Sequence, residues 1–191
     1  MKKAIYIIGP SSTGKTTLCD ALAKRLGLES AAYVKEVARR VMREKGYSRD
    51  TVGNLQMQLD IMEAHSNEEE KALEAANLVL CDRSAIDPIA YAILTSSNAE
   101  EARQRKEALV GRLAFKAALE RYRDHHSVFI LLSPVQAWLI DDGVRSLENQ
   151  EACMDVFRKV LKDLEIPYRV FGPDCQFLFE RLMLTLGYVS M

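Results

Sequence analysis

An α/β domain built on a parallel sheet is the fold that the sequence predicts, and three observations predict it. Five short apolar runs, at 4–8, 31–34, 77–81, 127–132 and 168–171, alternate with stretches of helical spacing, which is the pattern of a βαβ series. The first run passes through a glycine-containing turn directly into a helical stretch. The 191 residues, 48% hydrophobic and 28% charged, suffice for one well-buried domain and are short for two.

The turn after the first run is Gly9-Pro-Ser-Ser-Thr-Gly14-Lys15-Thr16-Thr17, which fits the phosphate-loop pattern G-x-x-x-x-G-K-[ST]. Leu18, Ala21, Leu22 and Leu26 recur at helical spacing behind it, and Gly27 suits a left-handed stop. Gly9 and Gly14 let backbone N–H groups turn inward on an anion, and the helix adds its positive end. Ser11, Ser12, Thr13 and Thr17 complete the cradle. Lys15 reaches the β- and γ-phosphates, and the Thr16 hydroxyl suits Mg²⁺. The expected ligand is therefore a nucleoside triphosphate with its metal.

The second run, Ala31–Val34, is followed by Glu36 and by a basic stretch with Arg39, Arg40, Arg43 and Lys45 up to Gly46. Ligands of such sheets sit at the carboxyl ends of strands. Glu36 is thus placed to take the proton of an attacking hydroxyl, and Arg39 to face the substrate. Asp50 or Thr51 is expected to cap a long helix through Leu55, Leu59, Met62 and Leu73. Gln56, Gln58 and Glu63 are candidates for an acceptor pocket. His65 reads as solvated, and Glu68-Glu-Glu70 as surface. After the third run come Asp82, suited to hold Mg²⁺, and Arg83, a planar fork for a phosphate oxygen. Ser84-Ala-Ile-Asp87 matches a capping box, and Asp87 is also a substrate-binding candidate.

Residues 98–124 read as one long polar helix or a broken pair, whose arginines form a solvated face. The fourth run ends at Ser133-Pro134, a helix start. The polar segment at about 141–150 is expected to be a lid whose Arg145 swings over the phosphates. A helix to Leu164, a fifth strand, and Gly172-Pro173 beside an adenine ring follow. Asp174–Leu186 closes the chain as a helix stopped by Gly187. Cys19, Cys81, Cys153 and Cys175 form no C-x-x-C pair, which points to a reduced, cytoplasmic setting. The net charge of −1 gives no field for nucleic acid, and no apolar run has the length of a membrane span.

The phosphate loop, Glu36-x-x-Arg39, Cys81-Asp82-Arg83-Ser84-x-x-Asp87 and Asp142-Gly-Val-Arg145 together resemble the NadR-type AAA domain, a family of phosphate-loop kinases. Asp82-Arg83-Ser84 is also similar to the Glu-Arg-Ser stretch of deoxyribonucleoside kinases. The resemblance implies a P-loop NTPase fold over residues 1–191, a five-stranded parallel sheet in order 2-3-1-4-5 with helices on both faces. It implies Glu36 on the acceptor side, Asp82 on the magnesium side and Arg145 in the lid. Related lids often carry a second arginine a few residues on, whereas here the next is Arg158. The implied activity is ATP- and Mg²⁺-dependent phosphorylation of a hydroxyl on a small molecule, such as the nucleoside nicotinamide riboside. The alternative is a nucleotide-dependent switch recruiting a partner or anionic lipid, and a homodimer is left open.

Overall fold

In a computed structural model, residues 2–135 and 150–190 are described. The five runs form one parallel sheet: β1 (Lys3–Ile8), β2 (Tyr33–Val34), β3 (Leu78–Asp82), β4 (Ser127–Leu132) and β5 (Tyr168–Phe171). Their order is β2-β3-β1-β4-β5, as the resemblance implies. Register aligns Ile7 with Asp82 and with Ile130, so Asp82 ends its strand level with the start of the phosphate loop.

Both faces of the sheet are apolar because helices cover both. Successive strand side chains point to opposite sides. Ile5, Ile7, Leu80 and Ile130 pack against α1 (Lys15–Leu26) and α8 (Leu178–Ser190). Tyr6, Ile8, Cys81 and Phe129 face the other way. They lie under α2 (Val37–Lys45), α3 (Leu55–Ala75), α4 (Ile86–Leu94), α5 (Ala99–Val110), α6 (Leu113–Arg123) and α7 (Gln150–Asp163). Tyr6 stacks on Phe129 at 4.3 Å, and Tyr122 of α6 meets both rings edge-on. Each fully buried chain of this size contributes about 1.5–3 kcal/mol.

Several boundaries differ from the sequence expectation. Only Tyr33–Val34 of the second run pairs, because Ser30–Ala32 closes into a 3₁₀ turn. The cap of α3 is Asn54, whose side-chain Oδ1 accepts from the N–H groups of Gln56 and Met57; Asp50 and Thr51 lie in a 3₁₀ turn before it. Of the two forms expected for the 98–124 stretch, the broken pair is the one found, α5 and α6 parting at Gly111-Arg112. The closing helix begins at Leu178 and runs through Gly187, since no proline follows and apolar positions continue past it. The expected lid at about 141–150, with Arg145, lies outside the described residues except for Gln150, which opens α7.

Candidate active site

The phosphate loop is held open from beneath. Gly9 has φ 133°, and a Cβ there would stand 2.6 Å from the Leu132 carbonyl oxygen, so no other residue fits between β1 and β4. Gly14, at φ 82°, turns the chain into α1. Thr13 is fully buried and donates to the Pro10 carbonyl at 3.0 Å, which closes the loop on itself. Around the loop lies a cavity of about 240 Å³, lined by residues 12–17 and by Arg39 and Arg83.

Lys15 points under the loop and donates to the Pro10 carbonyl and to Thr13 Oγ1. Burial, with Arg83 adding like charge, lowers its pKa to about 7. Thr16 Oγ1 donates to Asp82 Oδ2 at 2.6 Å. Both are hard oxygen donors, Thr16 on the wall of this cavity and Asp82 bonded to it, and the pair fits Mg²⁺.

Arg83 follows directly, with its backbone in the left-handed region at φ 83° and its N–H bonded to the Ile7 carbonyl. Its guanidinium donates to Asp87 Oδ1 at 3.0 Å. Burial opposes its charge, yet Tyr91, Asp87 and Asp82 around it hold its pKa above the ordinary arginine value. Asp87 Oδ2 also accepts from the Ser84 N–H at 2.9 Å, the back-bond of the expected capping box. Asp87 therefore anchors Arg83 and starts α4 at once.

Glu36 lies just beyond β2 at φ 58°. A non-glycine residue in this region costs on the order of 1 kcal/mol or more. Three such residues, Ser12, Glu36 and Arg83, meet at this end of the sheet. Arg39, one turn along α2, donates to both Glu36 oxygens at 3.0 Å. The pair is about half exposed, on the wall of a second and larger cavity.

That cavity measures about 620 Å³ and lies among α2, α3, α4 and the first turn of α7. Val37, Met42, Met57 and Ile61 give it apolar walls; Gln58, His65, Asp87 and Gln150 put polar atoms into it. Burial pushes the Cys153 thiol in its wall up to about 11, so it stands there neutral. Thr16, Arg39 and Arg83 line both cavities, so the two meet at these residues.

Of the expected phosphate-binding residues, 12–17 surround the smaller cavity, Gly9 braces the loop, and Ser11 turns to the larger cavity, within 3.2 Å of the Tyr91 hydroxyl. Gly172 and Pro173 end β5 outside both cavities. The loop after them reaches the phosphate loop through Arg181, which sequence reasoning missed. Its guanidinium donates to the Cys175 carbonyl at 2.7 Å and to the Thr13 carbonyl at 2.9 Å.

Two expectations about α3 are overturned. His65 is 2% exposed and lines the larger cavity instead of facing solvent. Glu69, expected at the surface, is fully buried, because Tyr6, Arg121 and Tyr122 supply hydrogen bonds that replace water. Both lie on the stripe that begins with Met57, Ile61 and Met62. Extending that spacing by three and four residues would have found them.

A family model described as AAA domain matches residues 4–174. Among solved structures, NadR protein in complex with NAD and AMP-PNP superposes with a TM-score of 0.72 at 18% identity, covering 100% of this chain and 50% of that one. NadR protein in complex with NR gives 0.74 at 19%, covering 100% and 52%. Deoxyadenosine kinase from M. mycoides with bound dATP gives 0.64 at 16%, covering 98% of this chain and 100% of that one. This chain spans about half the length of the NadR chains. No curated protein matches it. No helix among the described residues is long and apolar enough to cross a membrane.

Proposed function

We propose, from the premise that this chain belongs to the AAA domain family, that it is an ATP- and Mg²⁺-dependent kinase acting on a hydroxyl of a small molecule, a nucleoside such as nicotinamide riboside. The observation that carries this reading is the meeting of the two cavities at Thr16, Arg39 and Arg83. One cavity has the lining of a triphosphate site, the other the size and apolar walls of a site for an organic ring.

In this reading ATP lies with its phosphates on the loop. Lys15 and Arg83 offset charge on the transferring group, and Thr16 with Asp82 would hold Mg²⁺. The metal, when bound, neutralises phosphate charge. The acceptor hydroxyl reaches the junction from the larger cavity. Glu36 accepts its proton as the oxygen bonds to the γ-phosphorus and the bond to ADP breaks. Arg39 takes the place of the second lid arginine that the sequence lacks: it lines the phosphate cavity while holding Glu36. Arg145 is proposed for the same electrostatic role. Catalysis is then mainly positioning and charge neutralisation.

The test is ADP release from ATP and Mg²⁺, with and without a panel of nucleosides and small alcohols that includes nicotinamide riboside. Acceptor-stimulated release that Glu36→Gln abolishes supports the kinase. Tight ATP binding with no stimulated release by any acceptor overturns it and favours the nucleotide-dependent switch. One feature speaks for that second reading: Phe177 and Phe179, at the start of α8, are 78% and 72% exposed, as a partner-binding surface would be.

A further inference from the structure

The larger cavity contains a histidine that the protein leaves unsatisfied. His65 is 98% buried by residue area, and neither ring nitrogen has a hydrogen-bond partner. Leaving a buried polar group in that condition costs about 1–3 kcal/mol. His65 is one of the residues that line this cavity, and both its nitrogens are covered from solvent, so a partner that arrives with the ligand would meet one of them as the wall adjusts around it.

Its surroundings define what the ring offers. Glu69 follows one turn along α3, with Oε2 3.9 Å from His65 Nδ1, beyond hydrogen-bonding distance. The Glu69 oxygens accept from the Tyr6 hydroxyl at 2.7 Å, the Tyr122 hydroxyl at 2.8 Å, and Arg121 at 3.0 and 3.3 Å. Four hydrogen bonds from three side chains, two of them from one guanidinium, leave the Glu69 carboxyl group acting purely as an acceptor beside a fixed positive charge. Its charge favours the tautomer whose proton sits on Nδ1, which leaves Nε2 as an acceptor. Burial keeps the ring neutral by lowering its pKa. Glu69, Asp87 and Asp82 pull the other way, and Arg83 adds to the lowering.

We infer that His65 determines acceptor specificity: its Nε2 accepts a hydrogen bond from an N–H on the acceptor's ring, a carboxamide or an exocyclic amine. The inference rests on the proposed kinase reading of the cavity and names the substrate class for it. Gln58, two turns back, donates its amide N–H to the Val52 carbonyl at 2.8 Å, which leaves its carbonyl oxygen as a second acceptor on the same wall. Met57 and Ile61 flank them with apolar surface for the ring itself. A carboxylate in place of the carboxamide would bring its lone pairs against Nε2, with the Glu69 charge behind.

The experiment is calorimetric titration of the protein, loaded with AMP-PNP and Mg²⁺, by matched nucleosides. One pair is nicotinamide riboside and nicotinic acid riboside; the other is adenosine and purine riboside. The wild-type protein is expected to bind the N–H-bearing member of at least one pair about 10- to 100-fold more tightly. His65→Leu is expected to bring that ratio close to one, with AMP-PNP affinity within about twofold. His65→Gln, which restores an acceptor oxygen, is expected to recover part of the ratio. A wild-type ratio near one, a ratio that survives His65→Leu, or AMP-PNP affinity lost in both variants overturns the inference alone. Failure of every nucleoside to bind the loaded protein overturns the kinase reading itself, and the inference with it.

Discussion

The two cavities are built in opposite ways. The phosphate cavity comes from one unbroken stretch, residues 12–17, plus two arginines, and its shape follows from backbone turns at Gly9 and Gly14. The larger cavity is assembled mainly from side chains on four helices, with strand-end and turn residues at its edges. An anion of fixed charge is met by N–H groups that any sequence supplies, so a short motif suffices. An organic ring with one reactive hydroxyl has to be met by side chains brought from distant positions. Substitutions on the phosphate side should therefore stop all turnover, and those on the other side should redistribute it among acceptors.

The largest effect sharpens that contrast. Lys15→Met should lower phosphoryl transfer by on the order of a thousandfold, measured as ADP release, because in the kinase reading its charge would meet the phosphates directly. The same change should stabilise the empty protein. Folding lowers the Lys15 pKa from 10.5 to about 7, so the unfolded chain binds more protons between those values. The burial cost is then greatest at and below pH 7 and fades towards pH 10.5. Thermal unfolding at pH 7 should show the variant more stable by about 2–4 kcal/mol, an advantage gone by pH 10.5. Equal melting at both pH values would break the electrostatic account.

Next is Glu36→Gln, expected to lower the acceptor-dependent rate by about 10²- to 10⁴-fold while nucleotide affinity stays unchanged in a direct binding measurement. Loss of nucleotide binding in this variant would merge the two sides that the geometry separates. A smaller effect concerns pH alone. In the kinase reading, phosphates bound over Lys15 would restore its proton, so binding would take one up above pH 7. ATP affinity should fall from pH 7 to pH 9, by at most about tenfold per unit. Calorimetry in buffers of different ionisation enthalpy would show the uptake. The smallest is Tyr6→Phe. Removing its hydroxyl from Glu69 should cost about 1–2 kcal/mol in denaturant unfolding, with nucleotide affinity unmoved.

The same contrast decides what the sequence made legible. The glycine turn at residues 9–17, the position of Asp82 at a strand end and the strand order could be read because each depends on neighbours in the chain or on a motif that does. Glu36 and Arg39 could be placed at a strand end, but their mutual clasp could not. His65 and Glu69 were misread because polar neighbours, Glu63, Glu68 and Glu70, disguised the inward phase of α3. Arg181 was missed for the converse reason, being a lone cation in an apolar helix whose partners, Thr13 and Cys175, belong to other segments. In each case the side chain's meaning comes from groups that only folding brings alongside.

The clasp of Arg39 on Glu36 bears on what happens when no acceptor is present. Glu36 and Arg39 are about half exposed, and in the kinase reading a bare carboxylate within reach of water beside a bound triphosphate would turn a transferase into a wasteful hydrolase. In the kinase reading, with both Glu36 oxygens engaged by the guanidinium, the proposed base would be restrained while the acceptor is missing. Arg39→Gln should therefore raise acceptor-independent ADP release relative to the acceptor-dependent rate. Thrift with ATP would then depend on one ion pair on the first turn of a helix.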